Sequence, residues 1–399
     1  MRQPRTASGP ALVAVGALAL AVALIGGSHL TGASARASAA SLRIPAAAAP
    51  APQAIPTPQP SSIAVVRREG GRDALWSVAS AGGAATKLVG LSFRPLRVEA
   101  SPDGAKLALL PSTEGPRVFV YDIAAGALKR LSLAPRGVQQ VDALTWLSNG
   151  RLLVSGSRAP TGSYALNDRL YVVDVASGKS AWFRKLKGTE PSVAVQAPRL
   201  VYVRLTDAGL DPNLPGVRLV SEKLLSLRLV GGSAPRVIAR ARDAVGFDIR
   251  AFHDPRVSPD GRSVITSTTG SDVAVTYALR SVATGKVLFK KSTQLAGRDA
   301  TAWDARSARV AFWGMPSLAS TRATRIYVYD LGAEKLTAVG PYAERTATGL
   351  SWAPDGSRLA YTLSAFGNAV DRGRLWIVDP ATPAAAQVLG AGGLPAWLP

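Results

Sequence analysis

The stretch Val257-Ser258-Pro259-Asp260-Gly261, in VSPDGRSVITS, occurs again as ASPDGAKLALL from Ala100 and as WAPDGSRLAYT from Trp352. The same tight turn followed by an apolar run is an internal repeat, and a repeat limits the fold before any other feature does. Taking the residue after the preceding apolar or Trp position as an anchor gives Ser101, Leu147, Ser258, Asp304 and Ala353. Six residues after each begins a hydrophobic run, at Leu107, Leu153, Val264, Val310 and Leu359. The same offset from Leu200 places a degenerate anchor at Ala194, and the terminal PAWLP supplies a seventh at Leu398. The spacings between anchors are then 46, 47, 64, 46, 49 and 45.

Each unit reads alike. A short strand enters a turn such as SPDG or LSNG, the strongest short hairpin signal when it lies between apolar runs. A second strand follows (KLALLPS, RLLVSGS, RLAYTLS), then a third that ends in Asp (RVFVYD, RLYVVD, RIYVYD, RLWIVD), then a fourth such as ALKRLSL or KVLFKKS. Apolar positions run continuously or alternate, with Val, Ile and Tyr and little 3.6-residue period, so the units are strands and not helices. Four antiparallel strands in roughly 45–50 residues make a propeller blade. At the ends, IAVVRR at Ile63 reads as a second strand without a first, and LPAWLP as a first strand with nothing after it. Joined, they complete one blade and remove two exposed edges. The expected fold is therefore an all-β, seven-bladed β-propeller over residues 61–399, closed by pairing of its N- and C-terminal strands. Asp103, Asp260 and Asp355 in the hairpin turns, and Asp122, Asp174, Asp330 and Asp379 ending third strands, are expected to be structural, through local bonds to backbone.

The chain of 399 residues has no cysteine, which excludes disulfides, thiolate nucleophiles, Cys-ligated zinc and a lipoprotein anchor. Residues 1–40 combine Arg2 and Arg5, an apolar run from Pro10 to Gly27, and the small-x-small sites Ala33-Ser34-Ala35 and Ala37-Ser38-Ala39. That is the layout of a cleaved signal peptide. The run is also near the lower length limit of a spanning helix, so an uncleaved membrane anchor is the second reading and a buried helix the third. Residues 41–60, rich in Ala and Pro, read as an extended linker. The net charge is +21, of which only Arg2, Arg5, Arg36 and Arg43 lie in residues 1–60. A solvated basic surface is the plainer explanation; attraction to anionic polymers is the sharper one. No dense Lys/Arg run with interleaved aromatics occurs, so no specific nucleic-acid partner is expected.

PRVSPDGRSV, LSWAPDGSRLAY and the terminal LPAWLP, with third strands of the form Ile/Leu-Tyr-Val-x-Asp, resemble the TolB-type (PD-G repeat, WD-repeat-like) β-propeller family. The likeness covers most of residues 61–399 and is weakest near Ala194 and Asp304. It implies the propeller fold and an extracytoplasmic setting. The family's members include periplasmic envelope proteins, noncatalytic domains of serine peptidases, and lipoproteins that touch sensor kinases. The mixed α/β domain of the family's namesake has no counterpart here, where only the Pro/Ala linker stands, and no peptidase domain follows the closing strand.

The catalytic inventory is thin. His29 lies in the export segment, which leaves His253 as the one histidine of the propeller region. No G-x-S-x-G, H-E-x-x-H or Gly-rich phosphate loop is present in the sequence. Connections between second and third strands, and from one blade to the next, share one face of a propeller. The longest here are expected to be loops on that face: Ser157 to Asp168, Thr206 to Lys223, Met315 to Thr324, Ala365 to Gly373, and the interblade link from Arg240. Binding residues concentrate on such loops, which makes Arg158, Tyr164, Asp211, Arg218, Arg242, Arg322 and Arg372 candidate contacts. Five residues before the anchors stand Leu96, Asp142, Thr189, His253, Asp299, Thr348 and Gly393, expected at the channel mouth. Of these, Asp142, His253, Asp299 and Thr348 could hold a cation or an ammonium group, or could bond neighbouring blades and channel water. Trp76, Trp146, Trp303, Trp313, Trp352, Trp376 and Trp397 read as packing between blades.

The sequence thus points first to a noncatalytic extracytoplasmic propeller. It would bind a protein or cell-envelope component through its long-loop face, as a monomer and without a cofactor, touching membrane only through an uncleaved N-terminal segment. A hydrolase or lyase acting through Asp142, Asp299 and His253 is the second reading, and a polyanion-binding module the third.

Overall fold

The computed structural model describes residues 62–112, 115–158, 168–210, 218–231, 233–245, 252–269, 274–293, 301–315, 324–343, 345–365 and 373–398. They form seven four-stranded antiparallel sheets. Blade 1 is β28 (Gly393–Trp397), β1 (Ser62–Glu69), β2 (Arg72–Ala79) and β3 (Thr86–Leu91), from the inside outwards. Blade 2 runs β4 (Pro95–Ala100), β5 (Lys106–Pro111), β6 (Arg117–Asp122) and β7 (Ala127–Ser132). Blade 3 runs β8 (Gln140–Ser148), β9 (Arg151–Ser157), β10 (Arg169–Asp174) and β11 (Ser180–Lys187). Blade 4 runs β12 (Thr189–Ala194), β13 (Arg199–Leu210), β14 (Arg218–Arg228) and β15 (Arg236–Val245). Blade 5 runs β16 (His253–Val257), β17 (Ser263–Thr269), β18 (Val275–Ser281) and β19 (Val287–Thr293). Blade 6 runs β20 (Thr301–Trp303), β21 (Arg309–Gly314), β22 (Thr324–Asp330) and β23 (Lys335–Ala343). Blade 7 runs β24 (Arg345–Trp352), β25 (Leu359–Ala365), β26 (Arg374–Val378) and β27 (Gln387–Ala391). The first strand of each blade adjoins that of the next, and β28 sits between β24 and β4, so the ring is closed.

The six-residue repeat offset is strand register. Ala100 faces Leu107, Val193 faces Leu200, Val257 faces Val264, Trp303 faces Val310 and Trp352 faces Leu359. In blade 1 the equivalent pair is Trp397 and Ile63, supplied by the two ends of the chain. The turns repeat as well. Ser101 Oγ accepts the Lys106 N–H at 2.9 Å and donates to Asp103, which accepts the Ala105 N–H; Ser258 and Asp260 do the same. Where the anchor is Asp304, its fully buried carboxylate takes over the serine's role and accepts the Ala308 and Arg309 amides at 2.8 and 3.0 Å. In blades 2, 3, 6 and 7 the Asp at the end of the third strand accepts an amide of its own turn, at Ala125, Ser177, Ala333 and Ala381. Both sets of aspartates are therefore turn-building residues.

Tryptophans join the blades by one rule. The Trp just before an anchor donates its indole N–H to the carbonyl two residues before the previous blade's anchor. Trp146 reaches Glu99, Trp303 reaches Arg256, Trp352 reaches Ala302 and Trp397 reaches Ser351, at 2.9, 2.8, 3.0 and 2.7 Å. Arg309 stacks on Trp352 and Arg358 on Trp397, with guanidinium-to-centroid distances of 4.8 and 5.5 Å. Trp352→Phe keeps most of the ring burial and leaves the Ala302 carbonyl without its donor. Urea unfolding should therefore register a loss of about 1–2 kcal/mol, against a negligible change if packing alone holds this junction.

Candidate functional site

The seven first strands enclose a cavity of about 320 Å³ on the ring axis. Its wall includes the residue two before each anchor: Glu99, Thr145, Ser192, Arg256, Ala302, Ser351 and Ala396. The wall is two-sided. Blades 2 to 5 supply charge and hydroxyls; blades 6, 7 and 1 supply Ala302, Leu350, Leu394 and Pro395 beside Thr301 and Ser351.

On the polar side the groups bind one another. Arg97 lies 3.1 Å from the Glu99 carboxylate, whose other oxygen accepts the Thr145 hydroxyl at 2.9 Å, a bridge from blade 2 to blade 3. Arg256 Nε lies 3.0 Å from Asp254. Glu190 of blade 4 accepts the Asp254 N–H at 2.7 Å and stands 3.6 Å from His253 Nδ1, which ties blade 4 to blade 5. Ser192 Oγ accepts the Val257 N–H, and Ser351 Oγ the Trp397 N–H, each at 3.1 Å. Charges held this way brace the ring, because each would be costly to bury alone.

The first strands share a further feature that the sequence hid. Register slips at their outer ends, between Pro95 and Arg97, Val141 and Ala143, Thr189 and Ser192, His253 and Arg256, and Ala347 and Leu350. Four residues before the anchor, Glu190, Asp254, Gly349 and Leu394 adopt φ of 50°, 41°, 111° and 51°. A left-handed residue inserted in a strand is a β-bulge, which turns the following side chains to a new direction. For Glu190, Asp254 and Leu394 the conformation costs about 1–2 kcal/mol each, and the bonds of Glu190 and Asp254 described above offset part of it.

This bulge governs where the expected channel-mouth residues stand. Among the described residues, those five before the anchor do not line the cavity. Leu96 is 49% exposed while Thr189 is 3% exposed, so the set has no common orientation. Asp142 is exposed on β8, and His253 opens β16 against Glu190. Thr348 lies on β24, and Asp299 is outside the described residues. Among the described residues, no three His, Asp or Glu side chains gather as metal ligands.

On the long-loop face, Arg158 is exposed at the end of β9 and covers Gly137. Tyr164, Asp211, Arg322 and Arg372 lie outside the described residues. Arg218 and Arg242 lie within strands, which corrects two expected loops. Within Thr206 to Lys223, residues 206–210 and 218–223 are paired strand, Thr206 with Ser221 and Leu210 with Arg218, while 211–217 lie outside the described residues; the chain from Arg240 stays in β15 as far as Val245. Gly209 gave the described part of this stretch a loop's composition, but its pairing with Leu219 of β14 overrides composition there. The outcome is that β13, β14 and β15 run 12, 11 and 10 residues and project past the ring on the long-loop face. The projection is about 15 Å at some 3.3 Å per residue. Its base is pinned by the buried Glu222, which accepts the Phe252 N–H at 3.1 Å.

No helix among the described residues is long and apolar enough to cross a membrane. No family model matches the chain, and no curated protein sequence does. Solved structures do match. Puromycin hydrolase is 17% identical with a TM-score of 0.53, over 83% of this chain and 54% of its own. TolB from Acinetobacter baumannii is 15% identical with a TM-score of 0.45, over 85% and 67%. Kuenenia stuttgartiensis hydrazine synthase is 12% identical with a TM-score of 0.48, over 73% and 78%. The chain spans about half the length of the puromycin hydrolase chain. At this identity the likeness is one of fold, that of a β-propeller.

Proposed function

We propose that this propeller is a noncatalytic binding scaffold that holds a protein or cell-envelope component on its long-loop face. The observation that carries the reading is the blade 4 projection, a three-stranded tongue with exposed residues at Thr206, Asp207 and Ala208. A rigid ring supporting one raised element suits recognition of a large partner, since a preorganised surface loses little freedom on binding. The mutual pairing of the channel charges supports the same reading, because Glu99, Glu190 and Asp254 are engaged in bracing. The TolB-type character of the SPDG repeat favours an extracytoplasmic setting. Residues 1–40 then serve as export signal or anchor, 41–60 as linker and 61–399 as the propeller.

Replacing residues 206–221 by Asn-Gly closes the hairpin between Leu205 and Glu222, which already face each other. The variant should fold with an unchanged thermal midpoint and lose at least about tenfold in partner affinity, as removal of a central contact element does. A photo-crosslinker at Asp207 should capture the partner from an envelope fraction, whereas one at Ser357, in the turn on the opposite face, should not. Adducts from Ser357 alone would overturn the reading. Ester or amide hydrolysis abolished by Asp142→Ala with His253→Ala would replace it with an enzyme.

A further inference from the structure

The outermost strands carry the chain's positive charge unevenly. In blades 2 and 3, β7 holds Lys129 and Arg130, and β11 holds Arg184, Lys185 and Lys187. In blades 4 and 5, β15 holds Arg236, Arg240 and Arg242 with the single acid Asp243, and β19 holds Lys290 and Lys291. The other three outer strands hold only Lys335 on β23 and Lys87 on β3, with none on β27. Lys87 is already paired with Glu69 at 3.2 Å. The cations thus occupy four consecutive blades of the rim.

Four of these cations have no local counter-charge. Arg130, Lys185, Arg236 and Lys290 are exposed, and among the described residues no carboxylate lies within ion-pair distance of them. Others have mainly neutral partners: Lys129 donates to the Val175 carbonyl at 2.9 Å while also feeling the Asp174 carboxylate, Arg184 donates to the Arg228 carbonyl at 3.3 Å, and Lys291 lies 5.7 Å from the Tyr327 ring centre. Apart from Asp243 on β15, the acids at the inner ends of these outer strands include Asp122, which accepts the Ala125 amide and pairs with Lys106 at 3.8 Å, and Asp174, which accepts the Ser177 amide. Protection of sheet edges explains charge on outer strands. It explains neither a nearly single sign nor the bare outer strands of blades 6, 7 and 1.

We propose that the outer rim of blades 2 to 5 binds a linear polyanion, a flexible chain bearing a phosphate or carboxylate on each unit. The shape of the rim selects this partner over an anionic bilayer. Seven blades turn about 51° each, so the first and last of four differ in direction by about 150° on a closed propeller. A flat membrane touches a convex wall at one or two blades, whereas a chain can follow the arc and meet all four. Each outer strand also presents edge N–H groups that can donate to anionic oxygens. The four cations tested below, Arg130, Lys185, Arg236 and Lys290, lie outside residues 206–221, which the tongue variant removes, so the two readings can fail independently.

The test is fluorescence anisotropy of labelled long-chain inorganic polyphosphate with the full chain, over a series of KCl concentrations. A variant combining Arg130→Gln, Lys185→Gln, Arg236→Gln and Lys290→Gln should keep its thermal midpoint and bind at least about tenfold more weakly. Its plot of log affinity against log salt should be shallower by about 3, at ~0.7 per neutralised cation. Lys87→Gln with Lys335→Gln should leave both quantities unchanged. Chains too short to leave one blade should bind far more weakly than long ones, since contacts on successive blades reinforce each other. Equal affinity for short and long chains, an unchanged salt slope in the fourfold variant, or stronger retention on phosphatidylglycerol vesicles than on polyphosphate would each overturn the proposal.

Discussion

Deleting residues 393–399 should abolish cooperative folding of the whole ring, although the segment is under a fiftieth of the chain. Leu394, Ala396, Trp397 and Leu398 are between 4% and 7% exposed, and they serve two different cores. Leu394, Ala396 and Leu398 pack with Leu75, Leu107 and Leu109, at the junction of blades 1 and 2. Trp397 packs with Ile63, Val65, Ala360 and Leu375, at the junction of blades 7 and 1. Leu398 N–H also donates to Ser62 at 2.8 Å, the bond that Ser101 makes to Lys106 within one hairpin. Removing the strand uncovers both junctions and leaves β1 an unpaired edge on the channel. Trp397→Ala alone should cost about 3–5 kcal/mol, a large part of the roughly 5–15 kcal/mol that holds a domain together. Guanidinium unfolding followed by near-UV circular dichroism measures the point variant; soluble yield and gel filtration measure the deletion. Val388→Thr, on the outer strand of blade 7 at 45% exposure, should shift stability by less than about 0.5 kcal/mol. A deletion variant that stayed monomeric with the parent's midpoint would show that the ring is held without its clasp.

That prediction could be framed from the sequence because the repeat and the register are the same fact. The residue before the anchor meets its partner seven residues on in blades 2, 5 and 7, which places Leu107, Val264 and Leu359 at one height, and the orphan ends IAVVRR and LPAWLP then fit only each other. The blade 4 tongue was not legible in the same way. Its strands are specified by pairing of Thr206 with Ser221 and of Val220 with Ala244, across a stretch whose glycines and prolines signal turns locally.

The channel was half legible for a comparable reason. Alternation along a strand assigns Glu99, Ser192 and Ser351 to the cavity as soon as the anchors are known. It fails beyond the fourth residue back, because the bulge breaks the alternation there. Only Gly349 advertises a left-handed residue at that place; Glu190, Asp254 and Leu394 give no sign of it. The position of His253 therefore depends on a kink that its neighbours do not announce, while its partner Glu190 comes from another blade. Rim charge, by contrast, was visible as composition but not as a pattern. Arg130, Lys185, Arg236 and Lys290 lie far apart in sequence, and only the ring makes them neighbours.

Alkaline pH should unfold the protein steeply, starting near pH 10. Burial raises the Tyr202 and Tyr361 hydroxyls above the usual phenol value and raises Tyr277 well above it, with the Asp254 carboxylate adding to the effect at Tyr277. The folded state therefore keeps protons that the unfolded chain releases above about pH 10. The stability tied to these protons is fully present below that pH and is lost as pH rises towards the folded values. In that window each such group changes stability by about 1.4 kcal/mol per pH unit. Two variants separate ionisation from packing. Tyr361 Oη is buried without a hydrogen-bond partner among the described residues, so Tyr361→Phe should hold or raise stability at pH 7 and move the alkaline midpoint upward. Tyr277 Oη donates to the Trp313 carbonyl at 2.7 Å, so Tyr277→Phe should cost about 1 kcal/mol at pH 7 and still flatten the alkaline limb. Urea midpoints measured from pH 7 to 12 decide the matter. If neither variant changes the slope above pH 10, deprotonation of the blade tyrosines is not what opens the ring.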